Sequence, residues 1–155
     1  MALNKFLKSQ AGLTIVELLI AATIMMFVLA IGYNFLFLNY RAYQDAENLA
    51  EVQFDVRMAS SFITGELRNV SEISLTDDSL DHQIDLTLLS NQFPNVTGIG
   101  FNLKLTGSSY LAEYTISGNN GNLTNDYTLT SSVLLNNITL ATTGSDSEIV
   151  YYTKP

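Results

Sequence analysis

Cysteine is absent from this 155-residue chain, histidine occurs once and proline twice. Without cysteine there is neither a disulfide framework nor a thiolate metal site. A lone His82 cannot complete a zinc ligand set, and with no G-x-S-x-G segment nucleophilic catalysis also lacks its cast. His82 therefore reads as a surface residue in an acidic loop, and neither an enzymatic activity nor a cofactor is expected. Positive charge is scarce as well: 7 Lys and Arg stand against 15 Asp and Glu, for a net charge of −8. A nucleic-acid surface needs clustered Lys and Arg, so direct nucleic-acid binding is not expected.

What the chain has instead is concentrated at one end. Hydrophobic residues make up 47% of it, and residues 18–40 (LLIAATIMMFVLAIGYNFLFLNY) contain no charge at all. As a helix these residues extend roughly 34 Å, enough to cross a bilayer core. A cleavable secretory signal has a shorter apolar region followed by a small-residue cut site. Here the small residue, Gly12, precedes the apolar run, so the anchor is expected to stay in the mature protein. Lys5 and Lys8 lie before the run and Arg41 after it, which leaves the N-terminus in the cytoplasm and the remainder outside. The length suits one domain plus this anchor. Tyr33, Phe35, Phe37, Tyr40 and Tyr43 read as an aromatic belt at a membrane surface rather than a ligand cage.

No proline interrupts residues 13–70, and past residue 40 the apolar positions recur in steps of three and four. Tyr43, Ala46, Leu49, Val52, Val56, Ala59, Ile63, Leu67 and Val70 form that stripe. One long helix is expected, with Gly32 and Asn34 its weakest interior points. Residues 71–82 read as a polar loop. Strands are expected at Ile84–Leu89, Gly100–Thr106, Tyr110–Ser117, Tyr127–Thr130, Val133–Leu140 and Ile149–Thr153. Gly118-Asn119-Asn120-Gly121-Asn122 is a turn signal between two of them. A long helix followed by antiparallel strands gives an α+β class, with the sheet covering the helix's outer half.

Asp77, Asp78, Asp81 and Asp85 are weak candidates for a calcium site, since calcium takes several carboxylate oxygens. Their spacing is not that of an EF-hand, and a solvated acidic loop is the plainer reading. Asn-x-Ser/Thr sequences begin at Asn69, Asn95, Asn122 and Asn137, a frequency that chance supplies in so Asn-, Ser- and Thr-rich a chain.

The remaining anomaly is Glu17, one residue before the uncharged run. A carboxylate costs about 2.5–3.5 kcal/mol at the centre of a spanning helix and less near its end. A basic leader ending in Gly12, then Leu13-Thr14-Ile15-Val16-Glu17 and a long apolar helix, resembles the type IV pilin superfamily. The resemblance implies four segments: a leader over residues 1–12, a membrane and filament-core helix over 13–40, an amphipathic helix over 41–70, and an exported β-sheet head over 71–155. It implies cleavage between Gly12 and Leu13 by a prepilin peptidase, and N-methylation of Leu13. Glu17, the fifth mature residue, then pairs with the Leu13 amine of a neighbouring subunit, because a buried charge is tolerated chiefly when paired. Losing two of seven basic residues with the leader leaves five against fifteen acids, a net charge of −10.

Implied partners are other pilin or pseudopilin subunits, the peptidase, an inner-membrane assembly platform and, before assembly, membrane lipid. Leu13 stands where the family usually has phenylalanine, and Asn34 where many members have a helix-breaking proline. Arg57–Val70, Glu113–Ser117, Asn122–Thr124 and Val133–Leu140 resemble minor pilins and pseudopilins of the PilW and type II secretion J type. The readings left open are a minor pilin or pseudopilin, a major pilin, and an unprocessed membrane-anchored binding or adhesion domain.

Overall fold

The computed structural model describes residues 14–107, 109–135, 138, 140–141 and 143–155. One helix, α1, runs from Ile15 to Leu67, and all strands follow it, so the class is α+β as expected. The chain divides into two compact units, residues 1–43 and 44–155. Residues 15–43 of α1 belong to the first and residues 44–67 to the second.

In the second unit α1 presents Val52, Val56, Ala59, Ile63 and Leu67, all fully buried. Their steps of four, three, four and four place them on one face of a 3.6-residue helix. The expected stripe starts too early, however. Tyr43 and Leu49 are exposed and Ala46 likewise, so within this unit the buried face begins at Val52.

That face packs with two four-stranded sheets. The strands are β1 (Glu72–Ser74), β2 (His82–Ile84), β3 (Val96–Thr106), β4 (Ser109–Gly118), β5 (Tyr127–Leu135), β6 (Leu140–Ala141), β7 (Gly144–Ser147) and β8 (Val150–Thr153). The larger sheet has order β5-β4-β3-β7 and the smaller β2-β8-β1-β6. All pairs are antiparallel except β1 with β6, which is parallel. A single antiparallel sheet is therefore replaced by two, one of them mixed.

Phe101, Leu103, Ala112, Tyr114, Ile116, Val133 and Leu135 alternate inward from the larger sheet, and Ile73, Ile84, Val150 and Tyr152 come from the smaller. Buried Tyr114 carries its polar end to the helix. Its hydroxyl donates to the Ser60 carbonyl at 3.0 Å and lies 2.8 Å from Ser60 Oγ and 2.7 Å from Thr64 Oγ1. Nearer the start of this helical segment, Asp55 Oδ2 accepts from the Asn95 backbone N–H at 3.2 Å and from its side chain at 2.9 Å.

Several expected boundaries give way. Ile84–Leu89 is not a strand: β2 ends at Ile84, and Leu86–Gln92 forms a short helix, α2. Asp85 is the cause, for its backbone is extended and its Oδ1 accepts from Leu88 N–H at 2.7 Å, the geometry of an N-cap. Residues 71–82 hold β1 and the start of β2, where isolated polar residues pair through the backbone with β8. Tyr127–Thr130 and Val133–Leu140 are not two strands either. β5 runs unbroken through Ser131-Ser132 because each of its residues has a partner on β4; residues 136, 137 and 139 of the second expected strand lie outside the described residues. β3 starts four residues before the expected Gly100, and β7 was not anticipated.

The Asn-Gly turn behaves as its composition dictates. Gly121 has φ 81°, and the side chains of Asn119 and Asn120 accept from the N–H groups of Gly121 and Asn122. Asn120 and Asn122 in turn donate to Asn48 Oδ1 on α1, at 3.0 Å and 3.3 Å.

Candidate functional site

Glu17 lies in the first turn of α1, and its carboxylate is engaged locally. Oε2 accepts from the Thr14 backbone N–H and from Thr14 Oγ1, both at 3.1 Å, while Thr14 Oγ1 accepts from Glu17 N–H at 3.3 Å. This reciprocal pair is a capping box: Thr14 is the N-cap and Glu17 the third helical residue. It satisfies backbone donors that the helix start leaves without partners and puts negative charge at the positive end of the helix dipole. The T-x-x-E spacing directly before an apolar run is legible in the sequence, yet the expectation for Glu17 rested on its cost in lipid and passed over its value as a cap.

No ion pair among the described residues reaches this carboxylate. Among the described residues the ion pairs are Lys104–Glu113 and Lys154–Glu66, both in the second unit. Gly12 and Leu13, the expected cleavage and methylation positions, lie outside the described residues.

From Ile15 to Tyr43 no side chain is buried within the chain; Ile15 is 81% exposed and Met26 75%. This part of α1 is long and apolar enough to cross a membrane. Its few polar side chains are turned onto their own helix. Thr23 Oγ1 donates to the Leu19 carbonyl at 2.8 Å, Asn34 Nδ2 to Ala30 at 2.9 Å and Asn39 Nδ2 to Phe35 at 3.0 Å. Each bond to the carbonyl four residues back engages one donor of the side chain within its own helix. Tyr33 stacks on Phe37 at 6.5 Å between centroids, and the Arg41 guanidinium sits 4.4 Å from the Phe37 ring centre. These contacts place an aromatic and cationic face at the end of the uncharged run, where a belt was expected.

The acidic loop does not converge. No group of three or more His, Asp or Glu gathers as a metal site among the described residues. Asp77 accepts from Ser79 N–H at 3.0 Å, and bonds from Ser79, its hydroxyl foremost, hold the Asp77 carboxyl below the usual aspartate range. Asp85 caps α2, and Asp78 and Asp81 are exposed. His82 is also exposed and lies against the Tyr152 ring, 5.4 Å between centroids.

Sequence reading missed a small polar knot beside His82. Glu66, on the last turns of α1, accepts from the Tyr152 hydroxyl and from Lys154 Nζ, the latter at 2.8 Å. Bonds from Lys154 and then Tyr152 hold the Glu66 carboxyl below the ordinary glutamate value. Burial, reinforced by Glu66, pushes the Tyr152 hydroxyl well above the ordinary tyrosine value. The knot ties α1 to β8 and the residue after it. A cavity of about 170 Å³ over Gly100 is lined by Asn102, Glu113, Thr115, Thr130 and Asp146, and contains no histidine or lysine.

Residues 7–33 match the prokaryotic N-terminal methylation motif family. No curated protein sequence matches this chain significantly. Among solved structures, the D319A mutant of the PilB minor pilin from Streptococcus sanguinis overlaps at a TM-score of 0.45 with 13% identity. The overlap covers 68% of this chain and 35% of that one, so the chain spans about a third of the matched protein's length. The motif match covers Gly12, Leu13 and Glu17 together with most of the exposed apolar helix.

Proposed function

From this N-terminal methylation motif we propose that the chain is a non-enzymatic subunit of a type IV pilus or a related secretion or DNA-uptake filament. Within that class we assign it to the minor pilins or pseudopilins, on the resemblance of its Glu113–Ser117 and Val133–Leu140 segments. It is inserted with its N-terminus in the cytoplasm, held in the inner membrane by α1, cut between Gly12 and Leu13 and methylated on the Leu13 amine. It then leaves lipid for a filament, where neighbouring subunits take over the contacts of residues 15–43.

The observation that carries this reading is the motif at residues 7–33 joined to a helix whose apolar side chains stay exposed from Ile15 to Tyr43. The geometry of Glu17 adds a condition. Its carboxylate already closes a capping box, so pairing with a neighbour's Leu13 ammonium must extend that arrangement or break it. A carboxylate has lone pairs for both tasks, and the added positive charge offsets the cost of desolvating it.

Co-expression with a prepilin peptidase, followed by intact-mass measurement, tests the processing. Loss of Met1–Gly12 plus one methyl group is expected; an uncut chain would favour an anchored, unprocessed domain. Glu17→Gln then separates the two jobs of this residue, because glutamine serves in a capping box but carries no charge. The variant should be cut and methylated yet depleted at least ten-fold from sheared filaments. Incorporation at the wild-type level would remove the charge-pairing role.

A further inference from the structure

The turn between β4 and β5 contains Asn120-Gly121, the only asparagine followed by glycine in the sequence. This pair carries a chemistry of its own. The glycine backbone nitrogen can attack the asparagine Cγ, and with no Cβ beside that nitrogen nothing obstructs the approach. In the folded turn every group this reaction needs is already engaged. Gly121 N–H donates to Asn119 Oδ1 at 2.7 Å, and Asn120 Oδ1 accepts from Asn122 N–H at 3.1 Å. Asn120 Nδ2, the nitrogen that would leave, donates to Asn48 Oδ1 on α1 at 3.0 Å. Packing adds little at the tip, for Gly121 and Asn122 are exposed and a Cβ built on Gly121 meets nothing within 4 Å.

We propose that Asn120 is a site of spontaneous deamidation, gated by its bond to Asn48 and unable to restore that bond after reaction. The turn must first leave α1 by local opening. The Gly121 nitrogen then gives up its proton to water and bonds to Asn120 Cγ. The bond from Cγ to Nδ2 breaks, and the nitrogen leaves as ammonia with a proton taken back from water. Water next opens the cyclic imide at either carbonyl, leaving aspartate or isoaspartate at position 120. No oxidation state changes, and water is the sole co-reactant.

The product differs from the amide where it matters. A carboxylate has no hydrogen to give Asn48 Oδ1. Turning the Asn48 amide over to donate instead would break the bond that Asn48 Oδ1 accepts from Asn122 Nδ2 at 3.3 Å. The new negative charge also arrives beside a polar cleft lined by Glu47, Asn48 and Asn122, where a like charge opposes its return. The contact is therefore a one-way latch between the β4–β5 turn and α1, closed in the newly made chain and released for good by the reaction. It lies wholly in the second unit and holds whether or not the chain enters a filament.

The purified full-length chain, folded in detergent or unfolded in urea, is incubated at mildly alkaline pH. Mass spectrometry of the peptide holding residue 120 follows the replacement of –NH2 by –OH. In urea Asn120 should convert faster than any other asparagine, and in the folded chain about ten-fold more slowly or less, since opening must break several bonds. Asn48→Ala keeps a good helix former on α1. It should quicken the folded rate about five-fold, the weight of one net hydrogen bond, and leave the rate in urea unchanged. Asn120→Asp, which supplies the product directly, should exchange the amide hydrogens of residues 119–122 about five-fold faster than wild type. An Asn120 that stays intact in urea, or a folded rate equal to that in urea, would overturn the proposal. So would an Asn48→Ala chain that reacts no faster than wild type, or unchanged amide exchange in Asn120→Asp.

Discussion

Glu66 shows how much one partly buried side chain can hold in this protein. It takes the Tyr152 hydroxyl and the Lys154 ammonium on one carboxylate, and both partners lie on the final residues of the chain. Its folded-state pKa is depressed, with the bond from Lys154 as the largest cause. The sign of the linkage follows. Glu66 contributes stability that is fully present above its unfolded value, near 4.5, and lost as pH falls through the lower folded value. Glu66→Gln should therefore be less stable than wild type at neutral pH, with the gap narrowing as denaturation is repeated below about pH 4.5. A gap independent of pH would mean that the residue acts by packing alone. The Glu66 network was hidden in the sequence, since Glu66 and Tyr152 are 86 positions apart and nothing local joins them. Glu17 is the opposite case. Its position was legible, and so was its cap, because Thr14 lies three residues away.

At the scale of elements, the approach of α1 to the larger sheet is set by Gly118. A Cβ built there would lie 2.5 Å from Val56 Cγ2, 2.9 Å from the Asn95 carbonyl oxygen and 3.0 Å from Val52 Cγ1. Backbone and two buried side chains close the space together, so little can yield. Gly118→Ala is expected to destabilise the second unit by about 1–3 kcal/mol, the usual cost of overpacking, measured by urea unfolding of the purified protein. Gly107→Ala offers the contrast, for its site is open and only its positive φ of 64° resists the change. Sequence reading assigned Gly118 to a turn, which it adjoins, and could not see the helix above it.

The same limit explains the misplaced strands. Alternation along Phe101–Leu105 announced β3, because apolar and polar positions there differ by face. In Leu86–Leu89 the leucines fit a strand and a short helix equally well, and the Asp85 cap decided between them. β1, β6 and β7 have two to four residues, and their pairing partners lie far along the chain, so period carries no signal for them.

For the whole molecule, the division at residues 43 and 44 separates two kinds of stability. Among the described residues, the buried core from Val52 to Tyr152 lies in the second unit. Expressed alone from Gln44 to Pro155, it is expected to be soluble without detergent and to unfold cooperatively, followed by far-ultraviolet circular dichroism against temperature. Aggregation of this fragment, or a transition without cooperativity, would show that residues 15–43 supply part of the fold. The α+β class and the apolar anchor were legible because long helical and uncharged patterns are strong signals. Which residues join helix to sheet was not, since Asp55 with Asn95, Asn48 with Asn120, and Ser60 with Tyr114 are long-range pairs of ordinary polar residues.

The inward-folded amides and hydroxyl at Thr23, Asn34 and Asn39 bear on how the first unit could change surroundings. With one donor of each already held by its own spiral, exchanging one greasy milieu for another breaks none of these bonds. Those bonds persist whether acyl chains or other helices touch the rod. Under the proposed function, the choice between those two destinations falls to its tip, where the Glu17 carboxylate lies.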